Sequence, residues 1–206
     1  MPVTLLNYSL TTLAKVKLYL GISGSTQDDY LNTLINNVTG FIEGYCGNRR
    51  FLATNYVEIY DSERGKKKLF LNQLPINSFT SLEYRTGTPS IPSWVTYSAD
   101  SYLTYKKEGY LGFYGSLPWV MQGLRATYNA GYLIDFTDET NATLHTLPFD
   151  LVGVATELVG AKYRSNESEG TVSQSTEGQS VTFSSQSSKI STEQKTVLSK
   201  YKLYVV

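Results

Sequence analysis

The sequence is poor in the residue types on which many enzymes and secreted scaffolds depend. It has one cysteine, Cys46, among 206 residues, so no disulfide can form within the chain, and we expect a protein made in a reducing compartment. Eighteen basic and eighteen acidic side chains cancel, which disfavours a dedicated nucleic-acid binder, because such a protein needs excess positive charge against phosphate. No apolar run approaches the roughly 20 residues of a membrane span. Residues 1–8 lack the charged start and apolar centre of a signal peptide.

The single histidine limits the chemistry that the chain can perform. A Ser-His-Asp or Cys-His arrangement would depend on His145 alone. This residue lies in a linker near Asp135, Asp138 and Glu139, but their spacing does not match an EF-hand loop. We therefore favour a solvated acidic loop and expect no enzyme, no cofactor and no metal. A metal-dependent enzyme built around His145, Asp138 and Glu139 is an alternative.

Two amphipathic helices are predicted in the first fifty residues. In residues 10–20, Thr11 or Thr12 can cap a short helix. In residues 28–45, Asp28 is a candidate N-cap, and Gly47 supplies the positive φ that usually closes such a helix. Apolar residues at steps of three and four form a stripe along the longer helix: Leu31, Leu34, Ile35, Val38, Phe41, Ile42 and Tyr45. The pair therefore predicts a helical core, with Cys46 as a small buried residue.

From about residue 54 to residue 132 the hydrophobic period changes towards two. Strands are predicted at residues 56–60, 68–71, 81–85, 101–105 and 124–128, separated by glycine- and proline-containing turns. The one basic run, Lys66, Lys67 and Lys68, is expected to be a solvated hairpin tip. Most of the 17 tyrosines lie in this segment, and we favour cross-strand packing for them. The alternative is a carbohydrate- or ligand-binding module that uses Trp94, Tyr102 and Tyr105.

The last part of the chain predicts a third helix, an arm and a final helix. The third helix follows Leu147 and runs to about Arg164, with an apolar face to pack on the first two helices. Residues 165–190 are rich in Ser, Thr, Gln and Glu, so we expect a flexible arm in which residues 180–184 can become a strand against a neighbour. Ser191 and Gln194 form a candidate capping box. We expect docking through this region, at Val181, Phe183, Val197, Leu198, Tyr201 and Tyr204.

The elements together predict an α+β fold with a small helical core, an inserted antiparallel β subdomain and an extended C-terminal arm. The expected division is a helical pair at residues 1–53, the β insertion at 54–135, a linker and third helix at 136–164, the arm at 165–190 and the last helix at 191–206.

Several short motifs, taken in order, resemble the phage head-to-tail connectors of the head-completion, or adaptor, type with an inserted β segment. The first helix has the form Leu-x-x-Val-Lys-x-Tyr-Leu at residues 13–20, and the acidic pair Asp28-Asp29 follows. The second helix ends in YCGNRRF at residues 45–51, similar to Tyr-x-Gly-Arg-x-Phe with one extra residue near the arginines. The insertion contains Trp94 and closes in Tyr-x-Ala-Gly-Tyr at residues 128–132.

The resemblance implies a structural protein of the virion, located at the capsid vertex or neck and made in the host cytoplasm. Such proteins form a ring of about twelve identical subunits beneath the portal. The ring extends the DNA channel without binding DNA specifically, and it seats the next neck or tail-completion protein. The implied partners are the portal protein, further copies of the chain and that tailward protein. A different phage neck or tail protein is the nearest alternative.

Overall fold

The computed structural model describes residues 2–88, 90–117, 120–167, 173–176, 179–182 and 190–203. In these segments the helices and strands form an α+β fold, as predicted. The helices are α1 (Leu13–Leu20), α2 (Asp28–Tyr45), α3 (Phe149–Glu167) and α4 (Thr192–Ser199). The strands are β1 (Thr54–Ser62), β2 (Lys68–Phe70), β3 (Ile76–Arg85), β4 (Trp94–Thr96), β5 (Tyr102–Tyr105), β6 (Tyr110–Phe113), β7 (Val120–Ala130), β8 (Ser173–Thr176) and β9 (Gln179–Thr182).

The chain forms two compact units. The helical unit comprises the described residues of Met1–Asn48 and Ile134–Tyr204, and the β unit comprises those of Arg49–Leu133.

Side chains close in the sequence stabilise the starts of the first two helices. The Thr12 side chain accepts a hydrogen bond from the backbone N–H of Lys15, which caps α1. The sequence predicted Asp28 as the N-cap of α2, and this prediction is wrong. Gln27 occupies that position without a side-chain bond, and Asp28 is the first helical residue. There its carboxylate pairs with the Lys17 ammonium at 2.7 Å and lies near the positive end of the helix dipole.

The helical core is built from the predicted stripe of α2 with α1 and α3. Leu31, Ile35, Val38 and Ile42 are fully buried, whereas Phe41 is 42% exposed. Phe41 therefore lies at the edge of the stripe, where the Lys162 ammonium sits 5.5 Å from its ring centroid. The core is completed by buried side chains of other elements: Leu10, Val16, Cys46, Leu147, Leu151, Val152, Val154, Ala155, Leu158, Val159 and Leu198. Within the described ranges, no helix is long and apolar enough to cross a membrane.

The last helix packs on α3. Ser191 and Gln194 form the predicted capping box, and the Gln194 amide donates to the Glu157 carboxylate at 3.0 Å. Part of the predicted arm is ordered differently from expectation. Helix α3 continues to Glu167, and β9 pairs antiparallel with β8 of the same chain, whereas the expectation was a strand formed against a neighbour.

The β unit consists of two antiparallel sheets. Their strand orders are β1-β7-β3-β4 and β2-β6-β5. The five strands predicted from the sequence are present, and β4 and β6 are additional. The sequence did not predict these two strands because both are short and because β6 contains Gly112, a residue type that is rare in strands. The unit has a core of buried side chains that includes Leu69, Leu82, Leu111, Leu124 and Tyr128.

Candidate interaction surfaces

Two of the sequence motifs meet in the β unit, where the chain enters and leaves it. The guanidinium of Arg49 lies 5.4 Å from the Phe51 ring centroid and 5.8 Å from that of Tyr132, and these two rings stack at 6.4 Å. The Tyr132 N–H donates to the Phe51 carbonyl, and the Ala53 N–H donates to the Tyr132 carbonyl at 2.8 Å. Arg49 is nearly fully buried, and one of its terminal amino groups donates to the Leu74 carbonyl.

Gly131 allows the backbones to approach at this junction. Its φ is +114°, and a Cβ at this position would lie 2.7 Å from the Leu52 carbonyl oxygen and 2.8 Å from the Ala53 backbone. Neither the φ nor the space suits a side chain. We therefore refer to Arg49, Phe51, Gly131 and Tyr132 as the closing motif, because they join the two ends of the β unit.

A polar cluster on the larger sheet binds the loop that contains Asn72 and Gln73. The Tyr128 hydroxyl donates to the Glu58 carboxylate at 2.6 Å and accepts from the Gln73 N–H at 3.2 Å. The Tyr60 hydroxyl also contacts Glu58 and accepts from the Asn72 N–H at 3.2 Å. Burial, followed by the hydrogen bond to Glu58, raises the pKa of both Tyr60 and Tyr128 far above the ordinary value. Both phenols are thus held protonated as structural donors.

The residues considered for a metal-dependent enzyme have other partners. Nδ1 of His145 accepts from the Asp135 N–H at 3.2 Å, and its buried ring packs on Phe136 at 5.1 Å. Glu139 pairs with the Lys15 ammonium at 2.9 Å, and Asp138 accepts from the Thr140 hydroxyl. Hydrogen bonds from Thr137 lower the pKa of Asp135. In the part of the chain that the structure describes, no group of three His, Cys, Asp or Glu side chains could hold a metal.

The residues considered for a ligand-binding module do not form one surface. Tyr102 lies against the core of the β unit, with its ring 5.6 Å from Phe79 and 5.9 Å from Phe113. Tyr105 belongs to the opposite face of the same strand. Trp94 is on the other sheet, with the Arg125 guanidinium 4.6 Å from its ring centroid.

The predicted docking residues of the C-terminal region have different environments. Leu198 is fully buried, Val197 is partly buried, and the Tyr201 hydroxyl donates to the Asp150 carboxylate at 2.6 Å. Val181 lies in β9. Phe183 and Tyr204 lie outside the described residues. No partner contact tests these six residues, so the docking role stays a prediction.

The outer face of the smaller sheet exposes a group of large apolar side chains that the sequence did not reveal. The register places Phe70, Tyr110 and Tyr105 side by side across β2, β6 and β5, and Leu103 two residues before Tyr105 on the same face. The Tyr105 and Tyr110 rings stack at 4.4 Å, and Phe70 lies 5.4 Å from Tyr110. Phe70, Leu103 and Tyr105 are 46, 49 and 39% exposed. We call these four residues the aromatic platform.

The comparisons with a family model and with solved structures each cover nearly the whole chain. The family model described as "Head completion protein" matches residues 9–204. No curated protein sequence matches.

Three solved chains are similar in fold, and each comparison covers 100% of this chain and 96% of the other. One comes from the neck of an empty gene transfer agent (GTA) particle computed with C6 symmetry, with a TM-score of 0.57 and 14% identity. Another comes from the virion of a native GTA particle, at 0.58 and 15%. The third comes from the neck of a native GTA particle computed with C12 symmetry, at 0.57 and 13%.

Proposed function

This chain belongs to the head completion protein family, and from that premise we propose that it is a structural protein of the virion neck that connects head to tail. In this role it forms a ring under the portal, extends the DNA channel and seats the next neck or tail protein. The match of the family model to residues 9–204 is the observation that supports the proposal most strongly, because it includes both units and the C-terminal region.

A ring in the neck is the arrangement that the fold comparisons favour. Two of the similar chains come from neck structures computed with C6 and C12 symmetry. A closed ring requires that one surface of each copy meet a different surface of the next. A chain with a helical unit and a β unit offers such unlike surfaces. We propose about twelve copies, as the resemblance implies.

The chain has no net charge, which suits a channel through which DNA must slide. Strong attraction to phosphate would hold the DNA and slow its passage. We propose that the chain acts by assembly and not by catalysis. The only histidine supports this view, because its ring is buried against Phe136 and its Nδ1 accepts a backbone hydrogen bond.

Docking on the portal or on a neighbouring copy is proposed for the C-terminal region, residues 165–206. The six residues Val181, Phe183, Val197, Leu198, Tyr201 and Tyr204 remain the proposed contacts. Leu198 lies on α4 and is buried in the single chain, so its use in an interface requires α4 to leave the helical unit. Val197 and Tyr201 are only partly buried in the single chain, so they need no such opening.

The experiment is co-sedimentation of the purified chain with the portal protein from the same genome. The wild type is expected to bind stoichiometrically. A variant with Val181→Ser and Val197→Ser is expected to bind more weakly, and Val57→Ser in the β unit serves as the control. A wild type that does not bind the portal would overturn the connector role and favour a role as another neck or tail protein. Unchanged binding by the double variant would overturn only the assignment of the docking residues.

A further inference from the structure

The aromatic platform has the composition of a protein-docking surface. Four large apolar or aromatic side chains lie together on one face of a three-stranded sheet, and three of them are more than a third exposed. Their rings are held in place by mutual stacking, so little side-chain entropy remains to be lost when a partner covers them. Aromatic side chains of this kind dominate the energy of many interfaces.

One lysine contacts this apolar centre, and three others lie close to its residues in the chain. The Lys68 ammonium lies 4.5 Å from the Tyr110 ring centroid, and Lys106, in the turn after β5, donates to the Asn77 carbonyl at 3.0 Å. Lys67 and Lys107 are exposed beside these residues in the chain. A partner on this face therefore meets apolar side chains with the positive charge of Lys68 beside them.

The two units of the chain carry opposite net charge. In residues 49–133 there are ten Lys and Arg against six Asp and Glu, whereas the rest of the chain has eight against twelve. The β unit thus has four excess positive charges and the helical unit, with the C-terminal region, four excess negative charges. The neutral total hides this separation.

We propose that the aromatic platform of one copy docks on the acidic helical unit of the next copy in the ring. This inference rests on the proposed ring-forming function and assigns one of its unlike surfaces. Opposite charge favours the contact between a β unit and a helical unit. A contact between two β units would bring two positively charged surfaces together.

Duplex DNA fits the platform less well than a protein does. The outer surface of a duplex is charged phosphate, which gains nothing from contact with Phe70 and Leu103. Two of the lysines are also engaged by groups of the same unit, namely the Tyr110 ring and the Asn77 carbonyl. An apolar partner surface with acidic residues at its margin is the better complement.

The test compares two matched double variants of the full chain. Phe70→Ser with Leu103→Ser removes the centre of the platform. Val57→Ser with Ile59→Ser removes two apolar side chains of similar exposure from the outer face of the larger sheet. Each is mixed with the portal protein, and the complex mass is measured by native mass spectrometry. Urea unfolding followed by tryptophan fluorescence checks that both variants are folded.

We expect the platform variant to lose the complete ring at a concentration where the control keeps it, with copy-to-copy affinity weakened about tenfold or more. A second variant, Lys67→Glu with Lys107→Glu, leaves the side chains of the platform unchanged and cancels the excess charge of the β unit. It should weaken ring formation most at low salt, because added salt screens the wild-type attraction.

Zero-length carbodiimide cross-linking of mixed ¹⁴N and ¹⁵N copies identifies the partner surface. Mixed-isotope links between lysines at residues 66–68 or 106–107 and carboxylates of the helical unit are the expected result. Links only within one copy, links to the portal alone, or a platform variant that still forms full rings would each overturn the inference. A wild type that forms no ring would instead refute the proposed function, so the two failures are distinguishable.

Discussion

Replacement of Gly131 by alanine should destabilise the β unit strongly, since two independent penalties meet at this residue. At a φ of +114° a side chain is strained, at a typical cost of about 1–3 kcal/mol. The new Cβ would also lie 2.7–2.8 Å from backbone atoms of Leu52 and Ala53, and overpacking of this kind costs a further 1–3 kcal/mol or so. The closing motif would have to separate to relieve the contact.

Two other glycines allow the penalties to be measured separately. Gly65 has a φ of +86° but nothing within 4 Å of an added Cβ, so Gly65→Ala should cost only the conformational strain, about 1 kcal/mol. Gly115 has neither feature, and Gly115→Ala should change stability by less than about 0.5 kcal/mol. The expected order of destabilisation is therefore Gly131, then Gly65, then Gly115.

The assay is urea unfolding followed by tryptophan fluorescence. Both tryptophans, Trp94 and Trp119, belong to residues 49–133, so the signal reports on the β unit. With a slope of about 1 kcal/mol per molar urea, expected for a unit of this size, Gly131→Ala should lower the midpoint by about 2 M or more. Equal midpoints for Gly131→Ala and Gly65→Ala would show that the close approach of the backbones at Gly131 adds no energetic penalty.

Three further predictions concern the polar clusters. Tyr128→Phe should cost about 1–3 kcal/mol by fluorescence-detected unfolding, because Glu58 and the Gln73 N–H lose a buried partner; an unchanged midpoint would show that the cluster contributes nothing. Because the pKa of Tyr128 and of Tyr60 is raised in the folded protein, the folded state binds these phenol protons more tightly than the unfolded state does. The β unit should therefore lose stability as the pH rises above about 10, the ordinary phenol value, and less steeply in Tyr128→Phe; parallel profiles would contradict this. Asp150→Asn should speed amide exchange in α4 about tenfold or more, because the Tyr201 hydroxyl loses a charged acceptor; equal rates would exclude this anchor.

The helical unit was predictable from the sequence because its signal is local. The stripe on α2 and the capping box of α4 each depend on residues within a few positions of one another. The exceptions, Asp28 as N-cap and Phe41 as core, concern one residue at a helix start and one at the margin of a stripe. At such margins, tertiary packing and not the period decides burial.

The faces of the β unit were less predictable because they depend on pairing between distant segments. Alternation places Tyr102 and Tyr105 on opposite sides of β5, but the core side is set by the register with β6. The aromatic platform requires β2, β5 and β6 to be neighbours, and β6 was not predicted. The spacing of Leu103 and Tyr105 was a signal for a second apolar face, although it did not identify Phe70 or Tyr110 as the residues beside them.

The residues of the closing motif belong to the family resemblance, but their types cannot be explained from the neighbouring sequence alone. Its residues lie at the two ends of the β segment, and their types make sense only where the ends meet. Arg49 lies beside the rings of Phe51 and Tyr132, and Gly131 lets the backbones approach. The motifs and their order are visible in the sequence, whereas the contact between them appears only in the folded chain.

The proposed role is a ring on the portal that connects head to tail. Electron microscopy of the purified chain mixed with the portal protein from the same genome, with native mass spectrometry of the same sample, tests this role most directly. We predict a closed ring of identical copies seated on the tailward end of the portal, with a mass that gives a whole number of subunits. A monodisperse single chain beside an unoccupied portal would contradict the proposed role.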